Sequence, residues 1–125
     1  MCGFSGFLNF NPNWGDPLTL LQQMGDQLAH RGPDDSGVWF DNNCGVGLSH
    51  RRLSIIDLSA QGHQPMFSTS GRFVIAYNGE IYNHQELKKE LLQAGVVFRG
   101  GSDTEVLLAA IESWGIKQTL RRCIG

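Results

Sequence analysis

An α+β fold is predicted by three features of this chain. Strand-like and helix-like segments both occur, but not in the strict β-α-β alternation of a doubly wound parallel sheet. The helical segments carry local start and stop signals. Sixteen glycines in 125 residues imply several tight turns and close backbone approaches.

Residues 2–10 (CGFSGFLNF) mix glycine with aromatics and read as a strand beginning almost at the first residue, followed by a turn cluster from Asn11 to Gly15. Asp16-Pro17 opens a helix, with Asp16 as N-cap and Pro17 at the first helical position. Leu18, Leu21, Met24 and Leu28 recur near one face of it. The helix must stop before Pro33, because the residue ahead of a proline is pushed out of the helical region. Strands are predicted at 37–41, 45–54 and 73–77. Asn83 with Glu86 has capping-box spacing and starts a second helix, whose stripe is Leu87, Leu91 and Ala94 and whose stop is Gly95. A short strand is predicted over 96–99. Ser102 with Glu105 repeats the capping-box spacing ahead of Val106, Leu107, Ala110 and Trp114, and Gly115 closes that helix. A last helical stretch spans 117–123.

The length suits one domain. With 41% hydrophobic and 18% charged residues the chain can build a core and is not compositionally disordered. A net charge of −2 argues against a broad electrostatic footprint for nucleic acid or anionic lipid. The longest apolar run, Val106 to Ile111, falls far short of the roughly 18 residues that cross a bilayer. No basic region followed by an apolar stretch marks the N-terminus as a secretory signal. The cysteines, Cys2, Cys44 and Cys123, form no CxxC pattern, and an odd, sparse set fits a reducing compartment.

Several residues are candidates for chemistry. Removal of an initiator Met before a small residue would leave Cys2 at the N-terminus, where its α-amine, with an ordinary pKa near ~8, can take the thiol proton. The bland alternative is a small residue buried at the chain start. Asn78-Gly79, after FVIAY, is the strongest short hairpin signal, and local rules favour that reading. The return strand, however, would have only Glu80–Tyr82. The same residues can instead aim an amide and an N–H at one point, as an oxyanion hole requires. Arg51-Arg52 ends a strand; an arginine there can pair with a carboxylate, but neighbours on a strand point to opposite sides, so at most one faces a site. Gly100-Gly101-Ser102-Asp103 precedes a helix. Its acidic residue suits an ammonium group better than an anion, and a plain N-cap accounts for it equally. His30, His50, His63 and His84 show no zinc-ligand spacing with each other or with Cys44. Gly45-Val46-Gly47 lacks the third glycine of a dinucleotide fingerprint, and no GxxxxGK occurs.

Taken together and in order, Cys2-Gly3, HRGPDDSG (30–37), HRRLSIIDLS (50–59), GHQPM (62–66), YNGEIYNH (77–84) and GSDTEV (101–106) resemble the class II, N-terminal nucleophile type of glutamine amidotransferase domain. The HRGPD and RLSIID forms are most similar to the asparagine synthetase branch, including relatives that amidate sugars in surface-polysaccharide gene clusters. The resemblance runs from residue 2 to residue 125. It implies hydrolysis of glutamine to glutamate and ammonia, with Cys2 as nucleophile and its own amine as base. Asn78 and Gly79 become the oxyanion hole, which displaces the hairpin reading. Arg52 matches the arginine that binds the substrate carboxylate, Arg51 the variable position before it, and Asp103 the partner of the α-ammonium. Glu80 with Arg52, Leu53, Ser54, Ile55 and Ile56 completes the glutamine pocket.

The resemblance also implies a four-layer αββα sandwich, incomplete at its C-terminal end. Beyond TLRRCIG (119–125) the family continues into further core strands and an ATP-using synthetase domain. Residues 2–125 are therefore expected to form the N-terminal part of the amidotransferase domain. No cofactor or metal is expected in this chain, since ATP and magnesium belong with the synthetase domain. The implied partners are glutamine and a synthetase domain or subunit that accepts ammonia, with aspartate as the default acceptor and a sugar acid as the alternative. Neither nucleic acid nor membrane is implied, and a cytoplasmic location is expected. The competing reading is a catalytically incomplete fragment that keeps the motifs by descent.

Overall fold

The computed structural model describes residues 1–54 and 59–125. They form an α+β structure with four α-helices and two antiparallel sheets. The chain divides into two compact units, the first comprising Met1–Ser54, His63–Pro65 and Ala76–Asn78. Among the described residues no helix is long and apolar enough to cross a membrane.

The first unit holds β1 (Gly3–Phe7), α1 (Pro17–Asp26), β2 (Asp35–Asp41) and β3 (Val46–Arg52). The strand order is β1-β3-β2, with both pairings antiparallel. Gly3 lies opposite Arg51 on one side of the sheet's centre, and Asp35 lies opposite Arg52 on the other. The helix starts as its sequence dictates: Asp16 accepts the Thr19 N–H at 2.7 Å, and Pro17 takes the first turn.

The two-residue period of β3 sorts its side chains onto two faces. Arg51 turns toward α1, where its Nε donates to the Gly25 carbonyl at 3.2 Å and its guanidinium pairs with Asp26. His50 and Arg52 share the opposite face, and both are buried. There the segment His63–Pro65 lies directly on Gly37 of β2. A Cβ at Gly37 would fall 2.2 Å from the Gln64 carbonyl oxygen, so only glycine admits this approach.

The second unit contains β4 (Met66–Phe67), β5 (Val74–Ile75), α2 (His84–Gln93), α3 (Asp103–Trp114) and α4 (Ile116–Arg122). Its core is built from Leu87 and Leu91 of α2 with Val106, Leu107, Leu108 and Ala110 of α3. Full burial of side chains such as Leu91 and Val106 contributes ~1.5–3 kcal/mol each. Ser102 caps α3 by accepting the Glu105 N–H.

Three local expectations are corrected, each because a backbone amide or a capping side chain is committed elsewhere. The strand predicted over 96–99 does not form. Gly95, at φ +89°, closes α2, the Val96 N–H bonds back to the Leu91 carbonyl, and the amides of Arg99 and Gly100 both go to the Glu105 carboxylate. No return strand follows Asn78-Gly79, since Ile81 donates to Asp103 and Tyr82 to the Ile124 carbonyl. Asn83 precedes α2 but makes no side-chain cap; its amide instead donates to the Arg122 carbonyl and accepts the Ile124 N–H, each at 2.9 Å. The other boundaries differ by a few residues: β1 is shorter than 2–10, β2 begins at Asp35, β3 covers 46–52, β5 only 74–75, and the last helix starts at Ile116.

The Asn83 geometry separates a local from a tertiary role. Asn83→Ala should lower unfolding free energy by about 1–2 kcal/mol. Asn83→Ser, a good cap that is too short to reach the tail, should not recover the loss in urea unfolding. Full recovery by serine would restore the capping role.

Candidate functional site

The first unit gathers the predicted nucleophile, the predicted carboxylate-binding arginine and part of the predicted oxyanion hole. Cys2 immediately precedes β1 and is half-buried. Its Sγ accepts the Leu53 N–H at 3.2 Å, and the thiol lies 3.6 Å from the Leu53 carbonyl. Arg52 ends β3 one residue before Leu53 and is only 7% exposed. Arg51 is tied to α1 on the opposite face, as the alternation of a strand requires.

The turn between α1 and β2 holds this arrangement in place. Arg31 donates from Nε to the Cys2 carbonyl at 3.1 Å. Gly32 passes so close to β3 that a Cβ there would lie 2.5 Å from the Arg51 carbonyl carbon. The Asp34 N–H donates to the Arg52 carbonyl at 3.0 Å, and its carboxylate accepts the Ser54 N–H at 2.8 Å. The HRGPD stretch therefore secures residue 2 with the Arg31 side chain, residue 52 with the Asp34 backbone and residue 54 with the Asp34 carboxylate. Arg31 and Asp34 were legible as motif residues, but no spacing rule assigned them these partners.

Asn78 follows Tyr77, whose backbone is held by two buried side chains. The Tyr77 N–H donates to Gln64 Oε1 at 2.6 Å, and His50 Nε2 lies 3.2 Å from the Tyr77 carbonyl. A carbonyl only accepts, so Nε2 carries the proton and the ring is the neutral Nε2–H tautomer. Burial is the chief cause that holds the imidazole below its ordinary range. Arg52 and His63 push the same way, whereas the Tyr77 carbonyl and Asp35 oppose it. Asp35 itself pairs with His63 at 2.8 Å.

The remaining predicted residues lie in the second unit. Gly79 and Glu80 are exposed. Asp103, the first residue of α3, is 6% exposed; one carboxylate oxygen accepts the Ile81 N–H at 2.8 Å and the other the Thr104 N–H at 2.9 Å. It thus ties the chain just after Glu80 to the start of α3. Ile55 and Ile56 lie outside the described residues. Among the described residues no group of three or more His, Cys, Asp and Glu side chains could hold a metal ion.

The His50 environment sets a pH dependence. With a folded pKa below the unfolded value near ~6.5, the unfolded chain takes up the proton first as the solution is acidified. The contribution of His50 to stability is complete above about pH 6.5 and is lost as pH falls through the depressed folded value. The urea midpoint should fall between pH 7 and pH 5, and His50→Gln should make that fall shallower. An identical slope in the variant would show that other groups cause it.

Comparison with known proteins bears on this site. The family model described as "Glutamine amidotransferase domain" matches residues 1–125. The chain is 46% identical over 111 residues to asparagine synthetase [glutamine-hydrolyzing] 1 of Bacillus subtilis (strain 168), covering 87% of this chain and 17% of the relative. Asparagine synthetase [glutamine-hydrolyzing] 3 of the same strain is 40% identical over 116 residues, 91% of this chain and 18% of the relative. Amidase chry2 of Gibberella zeae is 38% identical over 125 residues, 93% of this chain and 18% of that protein. The chain thus spans less than one fifth of the length of these curated relatives.

Proposed function

The chain belongs to the glutamine amidotransferase domain family, and from that premise we propose that it hydrolyses the side-chain amide of glutamine through a Cys2 thioester. The observation that carries this reading is the seat of the sulfur. The Leu53 amide donates to Sγ at 3.2 Å, and the buried Arg52 lies next to it in the chain. A nucleophile and a cation for the substrate carboxylate are thus supplied by adjoining strands.

With Met1 removed, the free amine of Cys2 accepts the thiol proton and the thiolate attacks the amide carbon. The charge that develops on oxygen is met by the Asn78 side-chain amide and the Gly79 N–H; each such donor is worth a few kcal/mol, roughly 3–4 at most, in the transition state. The protonated amine returns its proton to the departing nitrogen, which leaves as ammonia. Water then attacks the thioester, releasing glutamate and restoring the thiol. Arg52 pairs with the α-carboxylate of glutamine and Asp103 with its α-ammonium, giving the zwitterion one cation and one anion. The Asp103 oxygens each accept one amide N–H and retain lone pairs for the ammonium. Glu80 and the stretch 52–56 complete the pocket. No cofactor enters these steps.

We assign residues 2–125 to the N-terminal part of an amidotransferase domain of the αββα, N-terminal nucleophile type. The antiparallel three-stranded sheet with α1 against one face of β3 supports that architecture. The proposed partner is a synthetase domain or subunit that consumes the ammonia. The names of the Bacillus subtilis relatives favour asparagine formation, with aspartate as acceptor.

Glutamate release from glutamine by the Met1-free chain tests the reading. Cys2→Ala should lower turnover by at least roughly 10³-fold while leaving the circular dichroism spectrum unchanged. Retained turnover in that variant would exclude Cys2 as nucleophile. The two arginines give a second test. Arg52→Ala should raise KM for glutamine by about tenfold or more, as expected when a charged hydrogen bond is lost. Arg51→Ala should leave KM within about twofold and lower stability by up to ~1 kcal/mol through its pair with Asp26. The reverse pattern would place the carboxylate at Arg51.

A further inference from the structure

We infer that His50 and Gln64 are positioning residues for the glutamine reaction: they lock the backbone of Tyr77 and so aim the Asn78 amide that follows it. The inference rests on the reading of Asn78 as an oxyanion donor.

The strand β5 ends at Ile75, before Tyr77 and Asn78, and two side chains hold the Tyr77 backbone. Gln64 Oε1 accepts the Tyr77 N–H at 2.6 Å, and His50 Nε2 donates to the Tyr77 carbonyl at 3.2 Å. These backbone groups belong to the two peptide planes that flank the Tyr77 Cα. The second plane also contains the Asn78 nitrogen. Because each plane is rigid, holding both fixes φ and ψ of Tyr77 and sets the direction in which the chain enters Asn78.

Both anchors are themselves buried. His50 is 1% exposed and Gln64 6% exposed. His50 stands on β3 two residues before Arg52, on the same face of the strand. Gln64 is seated on Gly37 of the neighbouring strand β2. The sheet that carries the Cys2 sulfur and Arg52 therefore also carries the two groups that hold Tyr77. Nucleophile and oxyanion donor are referenced to one frame, the condition for a productive attack geometry.

The chemistry of His50 argues against a packing role alone. Its Nδ1 is buried and has no hydrogen-bond partner among the described residues. A buried polar atom without a partner is destabilising, and an apolar side chain of similar volume would avoid it. What an apolar side chain cannot supply is the Nε2–H donor to Tyr77.

The test uses the Met1-free chain, with glutamine turnover read beside alkylation of Cys2 by iodoacetamide. Alkylation displaces iodide at a saturated carbon and develops no oxyanion, so it reports the thiolate and not the donors. His50→Leu should lower kcat for glutamine by roughly 10- to 100-fold, with KM and the alkylation rate within about twofold of wild type. His50→Gln, which keeps a donor at nearly the same reach, should recover most of kcat. Gln64→Met removes the other anchor and should lower kcat in the same way. Because both act on one residue, the double variant should lose less than the product of the single losses. If His50→Leu does not fold, Gln64→Met and His50→Gln carry the test. Unchanged kcat in a folded His50→Leu or Gln64→Met variant overturns the inference. So does a parallel fall in kcat and alkylation rate, which marks a general structural role. A wild-type chain without Cys2-dependent turnover removes the reading beneath it, a result distinct from active wild type with indifferent variants.

Discussion

The antiparallel register that sets Gly3 against Arg51 brings a sulfur at residue 2 to a backbone amide at residue 53. The bonds around β1 and the end of β3 secure that meeting. β1 alone would have a loose start. Pairing with β3 fixes its direction, and the Arg31 bond to the Cys2 carbonyl holds the residue that precedes it. On the far side of β3, Asp34 and Asp35 secure Arg52 and Ser54 through backbone bonds and one carboxylate bond. A slip of one residue in β3 would send Arg52 to the α1 face and put Arg51 in its place.

The two arginines show how the strand separates two uses of one side-chain type. Arg51 is absorbed by Asp26 and the Gly25 carbonyl at the end of α1. Arg52, on the opposite face, shares its surroundings with His50, Gly37 and Asp35. His50 stays neutral there because burial opposes a second proton and because Arg52 and His63 repel it. A neutral imidazole can donate to a carbonyl without adding a second positive charge beside the arginine proposed to meet the substrate.

Several local signals were legible because their partners are near in sequence. Asp16-Pro17 and Ser102 cap α1 and α3 as written, Gly95 closes α2 and Gly115 closes α3. Signals lost where another group competed for the same hydrogen bonds. Asn83 reads as a cap, yet its amide is taken by the tail at 122–124. Asn78-Gly79 reads as a hairpin, yet the amides of the return strand go to Asp103 and Ile124. The segment 96–99 reads as a strand, yet its first amide closes α2 and its last goes to Glu105. In the first two cases a tertiary partner won; in the third the competing groups lie only five and six residues away.

The ordered motifs fixed the family, the α+β class and the identities of the candidate residues, because these depend on residue types and their order along the chain. They named Cys2, Arg52, Asn78 and Asp103 without any distance between them. The tertiary structure alone decided what holds Arg51 to α1, what Arg31 and Asp34 hold, and that His50 and Gln64 grip Tyr77. Those bonds, with that of Cys2 to Leu53, join residues 13 to 51 positions apart. Residue order does not encode which distant groups meet; strand register and the exclusion of water from their contact do.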